Sequence, residues 1–266
     1  MQEYEDANLC WQQKLASCLI DYKYIVEPRG MEVRERLHYS YTVKMPAYIS
    51  LADRKVNKAF MFAEALWILS GSNRVEDLNK FIRGYARFSD DGVFLRGAYG
   101  PKVVDQLGYV VDSLNIDRDS RQAVLNIWRE RPGSSKDIPC TTQMQFFIRD
   151  NCLQSVVTMR SQDIVLGYTY DVFTFSMVAK AVQLLLKERG VEVGLGYLTV
   201  NVGSLHVYED YYKRAENWIV AVDHEASTKG LVDSIDECTT YSELLKKLTS
   251  LTQIAAVEGS MKNEQS

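Results

Sequence analysis

Apolar residues recur every three to four positions over residues 57–69, with Phe60, Ala63 and Trp67 on one face. That spacing predicts a helix, and Gly71 can stop it. The same period predicts helices over 10–23, 103–114, 171–188, 208–221 and 241–257, with Gly190 just past the end of the third and a polar tail after the last. Alternation of apolar and polar residues predicts strands over 38–44, 120–128 and 196–202. Residues 143–148 and 153–159 read as a hairpin turned by Arg149-Asp150-Asn151, and Pro28-Arg29-Gly30 as a turn. Long helices mixed with a large sheet imply an α+β fold. With few prolines and no Gly/Ser linker, residues 1–266 read as a single domain.

Composition narrows the function classes. Hydrophobic residues make up 46% and charged residues 25%, ordinary for a globular chain with a substantial core. The net charge of -4 disfavours a general nucleic-acid binder and leaves room for one basic pocket. No apolar run reaches the roughly 20 residues needed to span a bilayer, and the acidic start does not resemble a secretory signal. The expected setting is cytoplasmic, the host cytoplasm if the chain is phage-encoded. The cysteines, 5 in all, are scattered without a CxxC pair, which suits reduced thiols. The histidines, 3 in all, are too dispersed to suggest a metal site.

Chemistry concentrates in a few places, each with a structural alternative. Cys140 follows Pro139 at a strand entrance and reads either as a small buried hydrophobe or as a nucleophile. A nucleophilic thiol needs a cation beside it, and the hairpin can return Arg160 to its side. Glu64 lies on the apolar helix face with Phe60, Trp67 and Ile68, where a carboxylate needs a partner such as an arginine unless it works as an acid or base. The arginines Arg29, Arg121 and Arg160, with Ser161, suit a monophosphate clamp, although each alone could be surface charge. His206 and Tyr208 share a strand face at i, i+2. Asp171 stands at the expected start of a long helix and could be its N-cap.

The elements Glu64-Ala65-Leu66-Trp67, Asp119-Ser120-Arg121, Pro139-Cys140 leading to Gln145-Phe146, Arg160 to Gly167, and Gly203 to Tyr208 occur in this order, from about residue 25 to about residue 215. In types and order they resemble the thymidylate synthase superfamily. The resemblance implies a thymidylate synthase-like α+β fold and a homodimer through the sheet, with Arg121 crossing to the partner's site. It implies a pyrimidine nucleoside monophosphate and 5,10-methylenetetrahydrofolate as substrates, with no metal. It makes Cys140 the nucleophile that adds to C6 of the base. Glu64 becomes the residue that organises water and moves protons, and Tyr99 a member of that water network. Arg29, Arg121, Arg160 and Ser161 would hold phosphate. His206 and Tyr208 would bind the 3′-hydroxyl, and Trp67, Asp163 and Glu64 would face the folate.

The methylating members of that family carry Asn where this chain has Asp171. A carboxyl there suits cytosine, accepting from N4 and, when protonated, donating to N3. Gln122 replaces an expected second arginine and Thr141 an expected histidine, and nothing after Tyr208 resembles the family's closing C-terminal segment. These departures point to the cytidylate 5-hydroxymethylase branch, acting on dCMP or CMP, in which water rather than hydride quenches the reaction. Thymidylate synthase and dUMP hydroxymethylase are the alternatives, and a catalytically inactive nucleotide-binding relative is the remoter one.

Overall fold

A computed structural model describes residues 2–128 and 133–264, with side chains through residue 260. Its centre is a mixed seven-stranded sheet in the order β1 (Glu3–Tyr4), β3 (Val33–Lys44), β7 (Gly194–Tyr208), β6 (Cys152–Asp163), β5 (Thr141–Arg149), β4 (Val124–Asn126). β2 (Tyr24–Val26) lies antiparallel on the N-terminal half of β3. β5 and β6 form the expected hairpin, turned by Asp150 and Asn151, both at positive φ (51° and 55°). Asn and Asp tolerate that conformation better than other side chains, and the twist it gives matches the strands. β6 and β7 are parallel, so a helix must carry the chain back between them.

That helix is α5 (Gly167–Glu188), buried on nearly every side through Phe173, Phe175, Met177 and Leu184. A helix apolar all round belongs inside a domain. α5 starts before Asp171, contrary to the sequence reading. The turn leading into it is held instead by Asp163, whose Oδ1 accepts from the Val165 and Leu166 N–H groups at 2.7 and 3.2 Å. Asp171 is therefore inside the helix, not its cap. α2 (Lys58–Leu69) begins one residue later than the spacing predicts, because Asn57 is its cap: its Oδ1 accepts from the Phe60 N–H at 3.0 Å.

α1 (Ala7–Leu19) covers the sheet near β3 and β7, and α4 (Gly100–Ile116) covers its β4 edge. Short helices α3 (Val75–Asn79), α6 (Tyr212–Ile219) and α7 (Ala226–Asp233) complete the shell, and α8 (Tyr241–Glu264) packs along α2. The expected strand over 120–128 shrinks to β4, because Ser120 and Gln122 turn the chain. β7 runs on to Tyr208 rather than stopping at Val202, and the helix after it begins only at Tyr212. α8 continues through the stretch read as a polar tail.

β3, β7 and β6 bend together at one level. The buried positions switch parity from Val157 and Met159 to Gln162 in β6, and from Val200 and Val202 to Leu205 in β7. Gly203 sits at the bend because a Cβ there would lie 2.6 Å from the Arg160 carbonyl oxygen. His38, at φ 53°, carries the bend into β3. Such irregularities re-aim side chains, and here they turn Arg160, Ser161, Gln162 and His206 toward one end of the sheet.

Candidate active site

Cys140 ends the loop that enters β5, and the chain returns beside it in β6, where the Arg160 N–H donates to the Cys140 carbonyl at 2.8 Å. The Arg160 guanidinium folds back over that loop. Its Nε donates to the Pro139 carbonyl at 3.0 Å, Nη2 to the Ile138 carbonyl at 2.9 Å and Nη1 to Ser161 Oγ at 3.0 Å. Ser161 Oγ in turn donates to Cys140 Sγ at 3.7 Å. On the other side Tyr99, at the start of α4, accepts the Thr141 N–H on its hydroxyl at 3.2 Å. The thiol is thus held on a fixed loop with a cation relayed to it through one hydroxyl. Burial pushes the thiol above its ordinary 9.0, outweighing the pull of Arg160 and Ser161. The resting group is a thiol, and attack requires its proton to leave.

The Asp171 carboxyl acts on the Cys140 thiol, and Glu64 lies near enough to feel Asp171. Glu64 is half-buried on α2, and Thr174 Oγ1 of α5 donates to its Oε2 at 3.5 Å. Among the described residues no arginine or lysine pairs with it, so the structural alternative of an arginine-satisfied glutamate is not what is found. Burial, reinforced by the charge of Asp171, pushes Glu64 from 4.5 up to about 8. Burial pushes Asp171 from 3.8 up to about 7, against the hydrogen bond that Gln162 Nε2 donates to its Oδ2 at 2.8 Å. Near neutral pH this group of residues holds exchangeable protons on carboxyls rather than fixed charge. The Tyr99 phenol is buried beside them, and burial holds it well above its usual range.

Arg29, His206 and Tyr208 gather along the same end of the sheet. The His206 and Tyr208 rings meet edge to face at 5.3 Å, as same-face neighbours on a strand should. Arg29 Nη2 donates to the Tyr208 hydroxyl at 3.4 Å, from a backbone held at φ 58°. A non-glycine residue at positive φ marks a constrained turn. His206 is registered against Asp163 across β7 and β6, and burial holds its ring below the ordinary 6.5 while Asp163 pulls the other way. Arg29 and Arg160 both act on the Cys140 thiol and can serve one anion beside it.

Two expected members sit apart. Arg121 is exposed before β4, its backbone carbonyl accepting from Gln145 Nε2 at 2.9 Å, and the cations that pull most on the Cys140 thiol are Arg160 and Arg29 instead. Trp67 is 6% exposed, and its Nε1 donates to the Arg74 carbonyl at 3.1 Å. Its ring pins the loop after α2 and offers little surface to a second ligand.

Residues 29–241, the stretch that carries these groups, match a family model described as thymidylate synthase. The chain belongs to the thymidylate synthase family. Thymidylate synthase A from Bacillus subtilis shares the fold, with a TM-score of 0.68 over 85% of this chain and 87% of that one at 18% identity. A deoxyuridylate hydroxymethyltransferase of Bacillus phage SP01 is 32% identical over 220 residues, which is 74% of this chain and 56% of that protein. A protein of the same name from Pseudomonas phage M6 is 35% identical over 169 residues, 60% of this chain and 47% of that protein. The chain spans about half the length of the curated relatives it matches.

Within the thymidylate synthase fold the structure adds residues that sequence reading missed. Gln162 and Tyr41 stand behind Asp171, Thr174 binds Glu64, and Tyr85 is a half-buried phenol that feels Glu64, Tyr99 and Asp171. Thr174 lies on the Asp171 face of the long helix and could have been found by its i+3 spacing. Tyr85 sits in a short 3₁₀ turn, Tyr85–Phe88, where no periodicity marks it. Among the described residues no group of His, Cys, Asp and Glu could hold a metal, and no helix is long and apolar enough to cross a membrane.

Proposed function

We propose that this chain transfers a hydroxymethyl group to C5 of a pyrimidine nucleoside monophosphate through a covalent adduct at Cys140, with deoxyuridylate as the favoured substrate. The observation that carries the reading is the fixed thiol of Cys140, backed by Arg160 through Ser161, opening onto two uncompensated carboxyls. Deoxyuridylate is favoured because relatives from three phages bear that name. Cys140 adds to C6 of the base and places negative charge at C5. 5,10-methylenetetrahydrofolate supplies the one-carbon unit at the oxidation level of formaldehyde. Glu64, which keeps its proton up to about pH 8, is placed to hold water and exchange protons as the C5 proton and tetrahydrofolate leave and water adds to the exocyclic methylene that results. Loss of Cys140 from C6 frees the product. Asp163 has Oδ1 engaged in its turn and Oδ2 left for the folate side.

Arg29 and Arg160 with Ser161 take the phosphate of the nucleotide, and His206 with Tyr208 its sugar. Arg121 belongs to the phosphate site of a partner subunit. One face of the sheet, with Phe147, Val156, Tyr197 and Thr199, stays half-buried, and a second copy would cover it.

Cytidylate is the second reading, and Asp171 admits it. A neutral carboxyl offers one donor and one acceptor, as an asparagine amide does, so protonated Asp171 can meet O4 and N3–H of uracil. It can equally donate to N3 and accept from N4 of cytosine. Mass spectrometry after incubation with methylenetetrahydrofolate and dUMP, dCMP or CMP separates these cases. A dUMP product heavier by CH2O is expected. The same gain on dCMP or CMP establishes the second reading. A gain of CH2 on dUMP makes the chain a thymidylate synthase, and no product makes it an inactive relative.

A further inference from the structure

We infer that Gln162, locked by Tyr41, is a positioning residue for base selection that fixes the orientation of the Asp171 carboxyl. This rests on the reading of Asp171 as the residue facing the base.

The geometry is a buried chain of three side chains. The Tyr41 hydroxyl donates to Gln162 Oε1 at 2.9 Å, and Gln162 Nε2 donates to Asp171 Oδ2 at 2.8 Å. Both supports are sealed, with Tyr41 and Gln162 each 1% exposed. A phenol at ordinary pH arrives with a proton to give, so Tyr41 holds the carbonyl end of the amide and the NH₂ end must face Asp171. Tyr41 is itself fixed by its ring contact with Tyr168 at 4.9 Å. Gly167, one helical turn before Asp171, leaves room for this arrangement, because a Cβ there would come within 3.2 Å of Asp171 Oδ2.

The consequence is that the two Asp171 oxygens are not equivalent. Oδ2 is committed as an acceptor, so a proton on the neutral carboxyl belongs on Oδ1. A base then meets a carboxyl of defined polarity instead of one whose donor and acceptor can exchange. Discrimination by a buried polar group needs that definition, since a group free to swap roles satisfies either edge.

Other groups also act on this carboxyl's surroundings: Asp163 on β6, Glu64 on α2, Cys140 before β5, Tyr99 at α4, Tyr41 on β3 and Tyr85 in its turn. Of the influences acting directly on Asp171, burial and Asp163 favour its neutral form, and the Gln162 hydrogen bond opposes them. Removing that bond moves the Asp171 titration to higher pH.

Gln162→Met keeps the volume and deletes the donor. Tyr41→Phe keeps Gln162 and frees it to rotate, and it touches no substrate. In both variants, checked for an unchanged fold by circular dichroism, we expect the Asp171 carbon signal in ¹³C NMR, assigned with Asp171→Asn, to titrate at higher pH than in the wild type. We also expect the ratio of dUMP to dCMP affinity by calorimetry to change by about fivefold or more, the effect of one lost hydrogen bond. A purely structural role would lower the melting temperature and leave both readouts where they were, and that result overturns the inference. A moved titration with an unmoved ratio overturns it as well. Should the wild type bind neither nucleotide, the pyrimidine reading of the site falls instead, a failure distinct from intact binding with unmoved readouts.

Discussion

Cys140 illustrates how a single residue's surroundings set its use. Its neighbours pull the thiol toward ionisation, yet burial prevails and keeps it protonated. Alkylation by iodoacetamide, with Cys140→Ser as the background, is therefore expected to rise with a midpoint above 9.0. Ser161→Ala removes the hydroxyl that relays Arg160 to sulfur and should slow alkylation at pH 8 about fivefold, the worth of one hydrogen bond. An unchanged rate would mean that the 3.7 Å contact does not stabilise the thiolate. Glu64 gives a stability test with a definite sign. Its carboxyl titrates near its ordinary 4.5 when unfolded and at about 8 when folded, so the folded chain binds the extra proton. The stability this lends is fully present below 4.5 and is lost as pH rises through about 8. Glu64→Gln should then be more stable than the wild type at pH 9 by about 1–3 kcal/mol, and the difference should vanish near pH 4. Melting curves across that range check it, and a constant difference would sink the linkage. The same substitution should abolish turnover.

At the scale of elements, what could be read from the sequence depended on whether local pattern or distant packing set the boundary. The hairpin was legible because Asp150 and Asn151 carry their own turn chemistry. α2 was legible because its apolar residues recur at helical spacing, and the Asn57 cap at its start is equally local. The start of α5 was not, since Asp171 offers an equally good capping side chain, while the chain turns earlier on Asp163, which accepts from the Val165 and Leu166 N–H groups just before the helix begins. Tyr41 and Gln162 escaped notice for a related reason: they lie on strands two places apart in the sheet, and no spacing along the chain announces their contact. The site residues identified in advance came from motif order, while their supports came from topology. α8 is another case, predicted as a helix without a role. All but its first residue lies beyond the family-matched segment, and it braces α2 at both ends, through Lys58 with Glu258 at 3.4 Å and the Tyr241 hydroxyl on the Leu69 carbonyl at 2.5 Å. Because α2 carries Glu64, looseness in α8 should reach the site. Leu248 on α8 is 0% exposed. Leu248→Ala should cost about 2–4 kcal/mol and lower the melting temperature by roughly 5–15 °C, with turnover falling while Cys140 alkylation is unchanged. If turnover per folded molecule stays at the wild-type value, α8 braces the fold alone.

At the scale of the molecule, one chain assembles the thiol, the carboxyls, Arg29 and Arg160, and leaves Arg121 exposed before β4. An arginine so placed is either solvated surface or a donation to another copy. The sheet favours donation, since the face bearing Phe147, Val156, Tyr197 and Thr199 is half-buried and mixed in polarity, as a self-complementary interface requires. In a twofold dimer each site would combine Cys140 of one subunit with Arg121 of the partner subunit. Sedimentation should accordingly show a dimer, and Val156→Lys, which drives a charge into that face, should shift it toward monomer. Complementation tests the sharing itself. Cys140→Ala and Arg121→Ala should each be nearly inactive as homodimers. Unfolded together and refolded in equal amounts, about half of the dimers would be mixed, and each mixed dimer would hold one site with both residues intact. Activity should therefore return to about one quarter of the wild-type value. A mixture as inactive as its parents, with mixed dimers confirmed by native mass spectrometry, would confine Arg121 to its own subunit and leave Arg29 and Arg160 as the whole phosphate clamp.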